Sequence, residues 1–320
     1  MIATPFLNER FCKDCKIPIK IFYEPYFSDR LELTDPLYNA KEKYARFLSS
    51  IVRYHSEQEY MEDYNRMKDA AIRFIAERPQ YFAFQNENVG YFAAKPTVSV
   101  PKKDIYKSTL VGHRMVSVDM KQANFRAMLY FDTDMFGGAR SWEDFIRQFT
   151  DNEHIVQSKY VREVILGNCT VKRQTALERK LTCNLFNTLN VAENPAEPVY
   201  LSNDEIVFDI TNCDDPEAVI RFIEDKCNEW AKTEGKGIIA LRVEPFTLWR
   251  VSGTKGYIRN IESADGNILD LKCVTSKMMP FVIRALNNEK VIPETDAVFV
   301  DDDGLLAMYV QIPEIKIIKN

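Results

Sequence analysis

The chain has 320 residues, 46% of them hydrophobic and 28% charged, with a net charge of −5. That is long enough to bury a core in two or three subdomains and too hydrophobic for a disordered chain. No apolar run reaches the length of a membrane span, so no membrane partner is expected. Seven scattered cysteines form no disulfide framework, and the first ten residues lack the basic start and apolar stretch of a signal peptide. The expectation is the cytoplasm, or the host cytoplasm if the source is viral.

In chain order, Cys12-Lys-Asp-Cys15 comes first. It has the spacing of half a zinc site, but no second pair or histidine lies near it. An aromatic stretch from Ile19 to Phe27 reads as extended. Tyr44, Phe47, Leu48, Ile51 and Tyr54 recur at helical spacing, as do Tyr60, Tyr64, Met67, Ala71 and Phe74, which predicts two helices between Asn39 and Glu77. Residues 80–110 read as irregular chain or short strands, with Pro96 and Pro101 as breakers.

Met115-Val-Ser-Val118 then reads as a strand running into Asp119, followed by a helix from Gln122 to Tyr130. Gly137-Gly138 breaks the chain, and Ser141-Trp-Glu-Asp opens a helix with capping-box spacing. Helical segments continue to about Asn190. Val199-Tyr-Leu and Ile206-Val-Phe flank Asp204-Glu205, which is a second acidic string on β-like sequence. A helix over 218–232, a strand over 238–244 and a helix over 276–287 follow, among strand-like runs. Asp301-Asp-Asp-Gly304 reads as a hairpin turn. His55, His113 and His154 have no triad partners at informative spacing. The class is α+β with an antiparallel sheet.

Charge is segregated along the chain. Residues 156–182 carry six bases against two acids, whereas 201–230 carry nine acids against two bases. Such a field suits an enzyme with phosphates on one wall and metal ions on the other, although lopsided surface helices produce it too. Carboxylates at strand ends are hard oxygen ligands on a rigid base. Alone, Asp119 also fits a strand-end turn or a helix cap, and Asn203-Asp204 also fits a plain hairpin turn.

Asp119 with Gln122, Asn124 and Arg126 at +3, +5 and +7 resembles the first palm motif of family A (Pol I-like) DNA polymerases. Leu201-Ser-Asn-Asp-Glu-Ile-Val-Phe resembles that family's second metal motif, with Asn203 where His is usual. The resemblance covers roughly residues 112–250 and has the character of a compact phage or large-virus relative. It implies a polymerase-like palm, in two parts over 111–150 and 196–252, with small helical fingers over 151–195. Around these lie a helical, thumb-like region over 1–110 and a small β-rich subdomain over 253–320.

The implied activity is nucleotidyl transfer that extends a nucleic-acid strand from nucleoside triphosphates by two-metal-ion catalysis, with Mg²⁺ or Mn²⁺. Asp119 and Asp204 are the implied metal ligands, with Glu205 as a third catalytic carboxylate. Lys159, Arg162, Gln122, Asn124 and Arg126 are candidates for substrate binding, and Arg173, Arg179 and Lys180 for binding backbone phosphates. Two departures bear on function. Asn124 replaces the family's Glu that crowds the sugar 2′ position, so the choice of sugar is open. Asp119 and Asp204 lie only 85 residues apart, so the fingers must be small. A palm relic that binds nucleic acid or protein without chemistry, a two-metal nuclease, and a structural protein with chance motifs are the alternatives.

Overall fold

In the computed structural model of the protein, residues 3–101 and 105–320 are described. The N-terminal stretch is helical: α1 (Pro5–Cys15), α2 (Tyr26–Tyr38), α3 (Ala40–Ile51), α4 (Glu57–Ala76) and α5 (Pro79–Asn86). Next come β1 (Arg114–Met120), α6 (Ala123–Phe131), α7 (Trp142–Ile146), α8 (Glu153–Val156), α9 (Lys159–Gly167) and α10 (Val171–Leu189). Then follow β2 (Glu197–Leu201), β3 (Glu205–Asp209), α11 (Pro216–Lys232) and β4 (Leu241–Ser252). The chain closes with β5 (Tyr257–Ile261), β6 (Ile268–Lys272), α12 (Met279–Leu286), α13 (Pro293–Asp296), β7 (Val298–Val300), β8 (Leu306–Met308) and β9 (Lys316–Ile318). The class is α+β with antiparallel sheet pairing.

The chain divides into two compact units that do not follow its linear order. A terminal unit gathers residues 1–65, 152–161 and 248–320, and a central unit holds 66–151 and 162–247. β4 serves both: Leu241–Thr247 pairs with β1 in the central unit, and Arg250–Ser252 pairs with β9 in the terminal one.

Within the central unit the strands run in the order β2-β3-β1-β4, all antiparallel. The chain order is strand, helices, two strands, helix, strand, which is the split βαβ arrangement. Side chains alternate across the sheet. One face presents Val116, Val118 and Met120 of β1 with Ile206 and Phe208 of β3, all buried. Helix α10 packs against α6 and α11, and its Phe186 stacks on Phe208 with ring centroids 6.3 Å apart. Burying one such side chain contributes about 1.5–3 kcal/mol. The opposite face carries Ser117, Asp119, Glu205, Arg242 and Glu244.

Local chemistry sets the boundaries of the elements. Asp215 accepts the Ala218 amide (2.9 Å) and Pro216 fixes the first turn of α11. Ser141 accepts the Asp144 amide (3.0 Å) and starts α7. Gln122, at φ 51°, turns the chain out of β1 and into α6.

The terminal unit centres on Leu7, Phe11, Ile19, Phe27, Phe47 and Tyr60, with a smaller cluster at Val251, Ile258 and Val282. Its Asp301–Gly304 segment is the turn of the β7–β8 hairpin, where the Asp301 carboxylate accepts the amides of Asp303 and Leu305.

Three stretches differ from the sequence reading. The aromatic segment is extended only as far as about Phe22, and α2 begins at Tyr26. Prolines at 25 and 36 hide this helix: Pro25 precedes its first residue, and Pro36 sits inside its last turns, where it removes one amide-to-carbonyl bond. Residues 79–86 form α5 with Pro79 in its first turn. β4 continues past Pro245, which pairs opposite Val116, to Ser252.

Candidate functional site

A row of three charged residues crosses the central sheet. Asp119 on β1 lies directly opposite Glu205 on β3 and, on its other side, opposite Arg242 on β4. Directly opposed side chains in an antiparallel pair share a face, with Cβ atoms about 4.5–5.5 Å apart. Arg242 donates to Asp119 Oδ2 at 3.1 Å, and its Nε lies 3.3 Å from Glu244 Oε2. The Ser117 hydroxyl donates to Glu205 Oε1 at 2.6 Å.

Asp204 occupies the turn between β2 and β3. Its carbonyl accepts the Met120 amide at 2.9 Å, so the turn abuts the end of the Asp119 strand. The Ser202 hydroxyl shapes this turn: it accepts the Glu205 amide (2.9 Å) and donates to Asp204 Oδ1 (3.1 Å). The structure therefore brings Asp119, Asp204 and Glu205 together at one end of two adjacent strands. Burial raises the Asp119 pKa above the ordinary carboxylate value; Arg242 opposes that shift, and Glu205 and Asp204 reinforce it.

Helix α10 supports the turn and adds a carboxylate that sequence reasoning passed over. Arg179 donates to the Leu201 and Ser202 carbonyls, and the Thr182 hydroxyl donates to the Asn203 carbonyl at 2.7 Å. Glu178, on the same helix, is pushed up to about 7 by burial, with the charge of Asp204 adding to the shift. The signal in the sequence was an acid standing alone in a basic stretch, between Leu177 and Arg179.

The polar residues that follow Asp119 gather around a second missed acid, Glu143 of α7. Gln122 donates to Glu143 Oε1 at 3.1 Å. Burial lowers the pKa of both Arg126 and Arg162, and the Glu143 carboxylate opposes the shift in each. Arg126 donates to the Ile238 carbonyl, and the Nε atoms of both arginines are buried without a hydrogen-bond partner. Glu163 likewise opposes the shift of Arg162, so each guanidinium has a carboxylate near it. Asn124, in the first turn of α6, accepts the Phe125 amide at 2.9 Å. Lys159 begins α9 in the terminal unit, whereas Arg162 belongs to the central unit.

The remaining basic candidates have local partners. Arg173 donates to the Glu87 carbonyl at 2.8 Å and lies over the Phe92 ring. Lys180 stands 3.7 Å from the centroid of Tyr91. Cys12 and Cys15 lie within α1. Burial raises both thiols, Cys15 to about 12, far from the thiolate a metal needs. Two histidines do face carboxylates at sequence distances that spacing could not reveal: His113 with Asp209 (2.6 Å) and His154 with Asp14 (3.2 Å).

As a cation site, the end of the sheet offers Asp119, Asp204 and Glu205. Among the described residues no group of three or more His, Cys, Asp and Glu side chains is arranged to hold a metal ion. Mg²⁺ commonly uses one or two carboxylates together with substrate phosphates and water rather than a cage of protein ligands. A carboxylate pair with raised Asp119 pKa, repelled by its neighbours, fits that donor set. No described helix is long and apolar enough to cross a membrane. No protein-family model matches the chain, and no curated protein or solved structure matches it either.

Proposed function

We propose that the protein is a polymerase-like nucleotidyltransferase that extends a nucleic-acid strand from nucleoside triphosphates, with Mg²⁺ or Mn²⁺ held at Asp119 and Asp204. The observation that carries this reading is the junction of β1 with the β2–β3 turn. There Asp119 faces Glu205, and the Met120 amide binds the Asp204 carbonyl. The two acidic strings lie on adjacent strands of one sheet, which supports this reading.

The bound ions would lower the pKa of the attacking hydroxyl and neutralise charge on the leaving pyrophosphate. The chain's own residues prepare the rest. Asp119 lies near the end of β1 and Asp204 in the bonded turn that leads into β3, so little reorganisation is needed as charge develops. Gln122 and Glu143 orient the first turn of α6. Arg126 and Arg162, desolvated beside Glu143 and, for Arg162, Glu163, would provide the guanidiniums that meet a triphosphate. Arg179 and Thr182 fix the turn that presents Asp204.

A labelled primer–template incubated with Mg²⁺ or Mn²⁺ and each nucleotide set tests the reading, alongside Asp119→Asn and Asp204→Asn. Extension that both substitutions abolish supports it. Shortening that both abolish identifies a two-metal nuclease. A second reading, a palm relic that binds without chemistry, is favoured by the Arg242 contact on Asp119 and by the lack of a three-ligand group among the described residues. Nucleic-acid binding with no chemistry under any of these conditions supports that second reading.

A further inference from the structure

We propose that β8 is a pairing edge through which two copies of the chain associate, strand against strand, about a two-fold axis at Ala307. The edge uses none of the residues assigned above to nucleotidyl transfer. β7 and β8 form a sheet of two strands on their own. Two strands are marginal in water, whereas three or more with an apolar face are stable. The hairpin also leaves apolar side chains in solvent: Leu306 is 53% exposed, Met308 60% and Leu305 65%, and Val310 is wholly exposed. Across the hairpin the Leu305 carbonyl accepts the Asp301 amide, and the Tyr309 amide donates to the Ala297 carbonyl. Main-chain groups alternate in direction along an antiparallel strand, so those of Leu306 and Met308 point away from β7. Among the described residues no strand meets them there.

Elsewhere the chain guards its edges. β2, at one end of the large sheet, carries Glu197, Pro198 and a bulge between Pro198 and Tyr200. β6, at the other end, carries the ion-paired Asp270 and Lys272 and packs against α2. On β7 the Val298 carbonyl accepts from the buried Arg30 at 3.0 Å. Charge, proline and bulges are how natural edges are kept from pairing. Leu306-Ala307-Met308 has none of them.

A second copy of the chain is the occupant this edge fits. With two β8 strands antiparallel and centred on Ala307, Leu306 meets Met308 of the second copy, and Met308 meets its Leu306. Both residues turn their main-chain groups outward, so each of the two pairs exchanges two hydrogen bonds. Apolar side chains then stand directly opposed on one face, which is stabilising. The same register sets the acidic tip, Asp301 to Asp303, opposite Pro313, Ile312 and Gln311, so no like charges meet. The contact is self-complementary and closes at two copies, as a two-fold interface requires.

Sedimentation velocity of the full chain over a range of concentrations tests this, comparing wild type with L306K, M308K and the double variant. We expect wild type to dimerise reversibly at micromolar concentration, as a small interface does. Each single lysine should weaken the dimer about tenfold, because the symmetry introduces it twice. The double variant sets lysine opposite lysine and should stay monomeric. Both side chains are exposed, so the far-ultraviolet circular dichroism of these variants should match that of wild type. A307C reads the register: the axis places Ala307 opposite itself, with Cβ atoms about 4.5–5.5 Å apart. Mild oxidation should therefore link two A307C chains above the background that the seven native cysteines give in wild type. V310C falls opposite Gly304 and should stay at that background.

A wild-type chain that stays monomeric throughout would overturn the proposal, and so would a dimer that survives in the double variant. Equal linkage in A307C and V310C would overturn the two-fold register, as would assembly that grows past the dimer.

Discussion

Asp119 and Glu205 stand directly opposite one another on β1 and β3, two acids in a single cross-strand pair. A sheet built for stability alone would not place them so, since like charges in that position are destabilising. The row is completed by Arg242 on the next strand, and the Ser117 hydroxyl relieves Glu205 from below. Concentrated charge of one sign on a rigid sheet end is what a cation-dependent site needs.

Under the proposed function, Asp119→Asn and Asp204→Asn should each reduce strand extension by about 100-fold or more, since each would remove an oxygen proposed to bind the metal. Asn is close in size to Asp, so the far-ultraviolet circular dichroism of both variants should match that of wild type. Loss of extension with an unchanged spectrum places the effect at the site.

Sugar choice should depend on Asn124. Under the proposed function, ribo- and deoxyribonucleotides should have specificity constants within about tenfold of each other, because the crowding contact, worth about 1–3 kcal/mol, is absent with a short side chain there. Asn124→Glu should favour deoxyribonucleotides by crowding the 2′ position. Competition between the two nucleotide sets in single-turnover extension measures the ratio.

Glu178 makes stability depend on pH. Its folded pKa, about 7, lies above the ordinary 4.5. Between those values the folded state holds a proton that the unfolded state has released, so stability falls as pH rises from about 4.5 to 7 and then levels off. Burial is the main cause and Asp204 adds to it. Glu178→Gln, which cannot ionise, should be more stable than wild type at pH 8 by roughly 1–3 kcal/mol, with the difference shrinking towards pH 5. Urea midpoints at several pH values check this.

Arg179→Ala should loosen the turn that carries Asp204. Its guanidinium serves the Leu201 and Ser202 carbonyls, and leaving them poorly satisfied costs about 1–3 kcal/mol. Thr182→Val removes the bond to the Asn203 carbonyl and should cost about 1 kcal/mol. The two share one turn, so their effects should not be additive; a double-mutant cycle in urea unfolding reads the coupling.

The apolar face should be the less tolerant side of the central sheet. Phe208 is fully buried and stacks on Phe186. Phe208→Ala should cost about 3–5 kcal/mol through lost burial and the cavity left behind. A change of that size on the polar face, such as Glu244→Ala, should be far milder. Chemical denaturation of the two variants provides the comparison.

Some of this was fixed by sequence alone. Met115-Val-Ser-Val and Ile206-Val-Phe are strands because β-branched and aromatic residues alternate within short runs. The helices over 40–51 and 57–76 follow from period 3.6, and the starts of α7 and α11 follow from Ser141 and from Asp215 with Pro216. These signals are local, so a linear string carries them. The α+β class and the three acids Asp119, Asp204 and Glu205 were legible for the same reason: each acid ends or begins a readable strand.

Tertiary structure decided what lies beside what. Pairing β1 with both β3 and β4 put Glu205 and Arg242 on either side of Asp119, although Arg242 lies 123 positions away in sequence. Packing α10 against the turn turned Arg179 towards backbone carbonyls and brought Glu178 into the range of Asp204. Glu143 became the centre of Gln122, Arg126 and Arg162 only through the fold of α6, α7 and α9. Register and helix packing are set by the burial of whole faces, which no single residue or spacing reports. The sequence therefore named the three acids, and the three-dimensional arrangement supplied the charges that surround them.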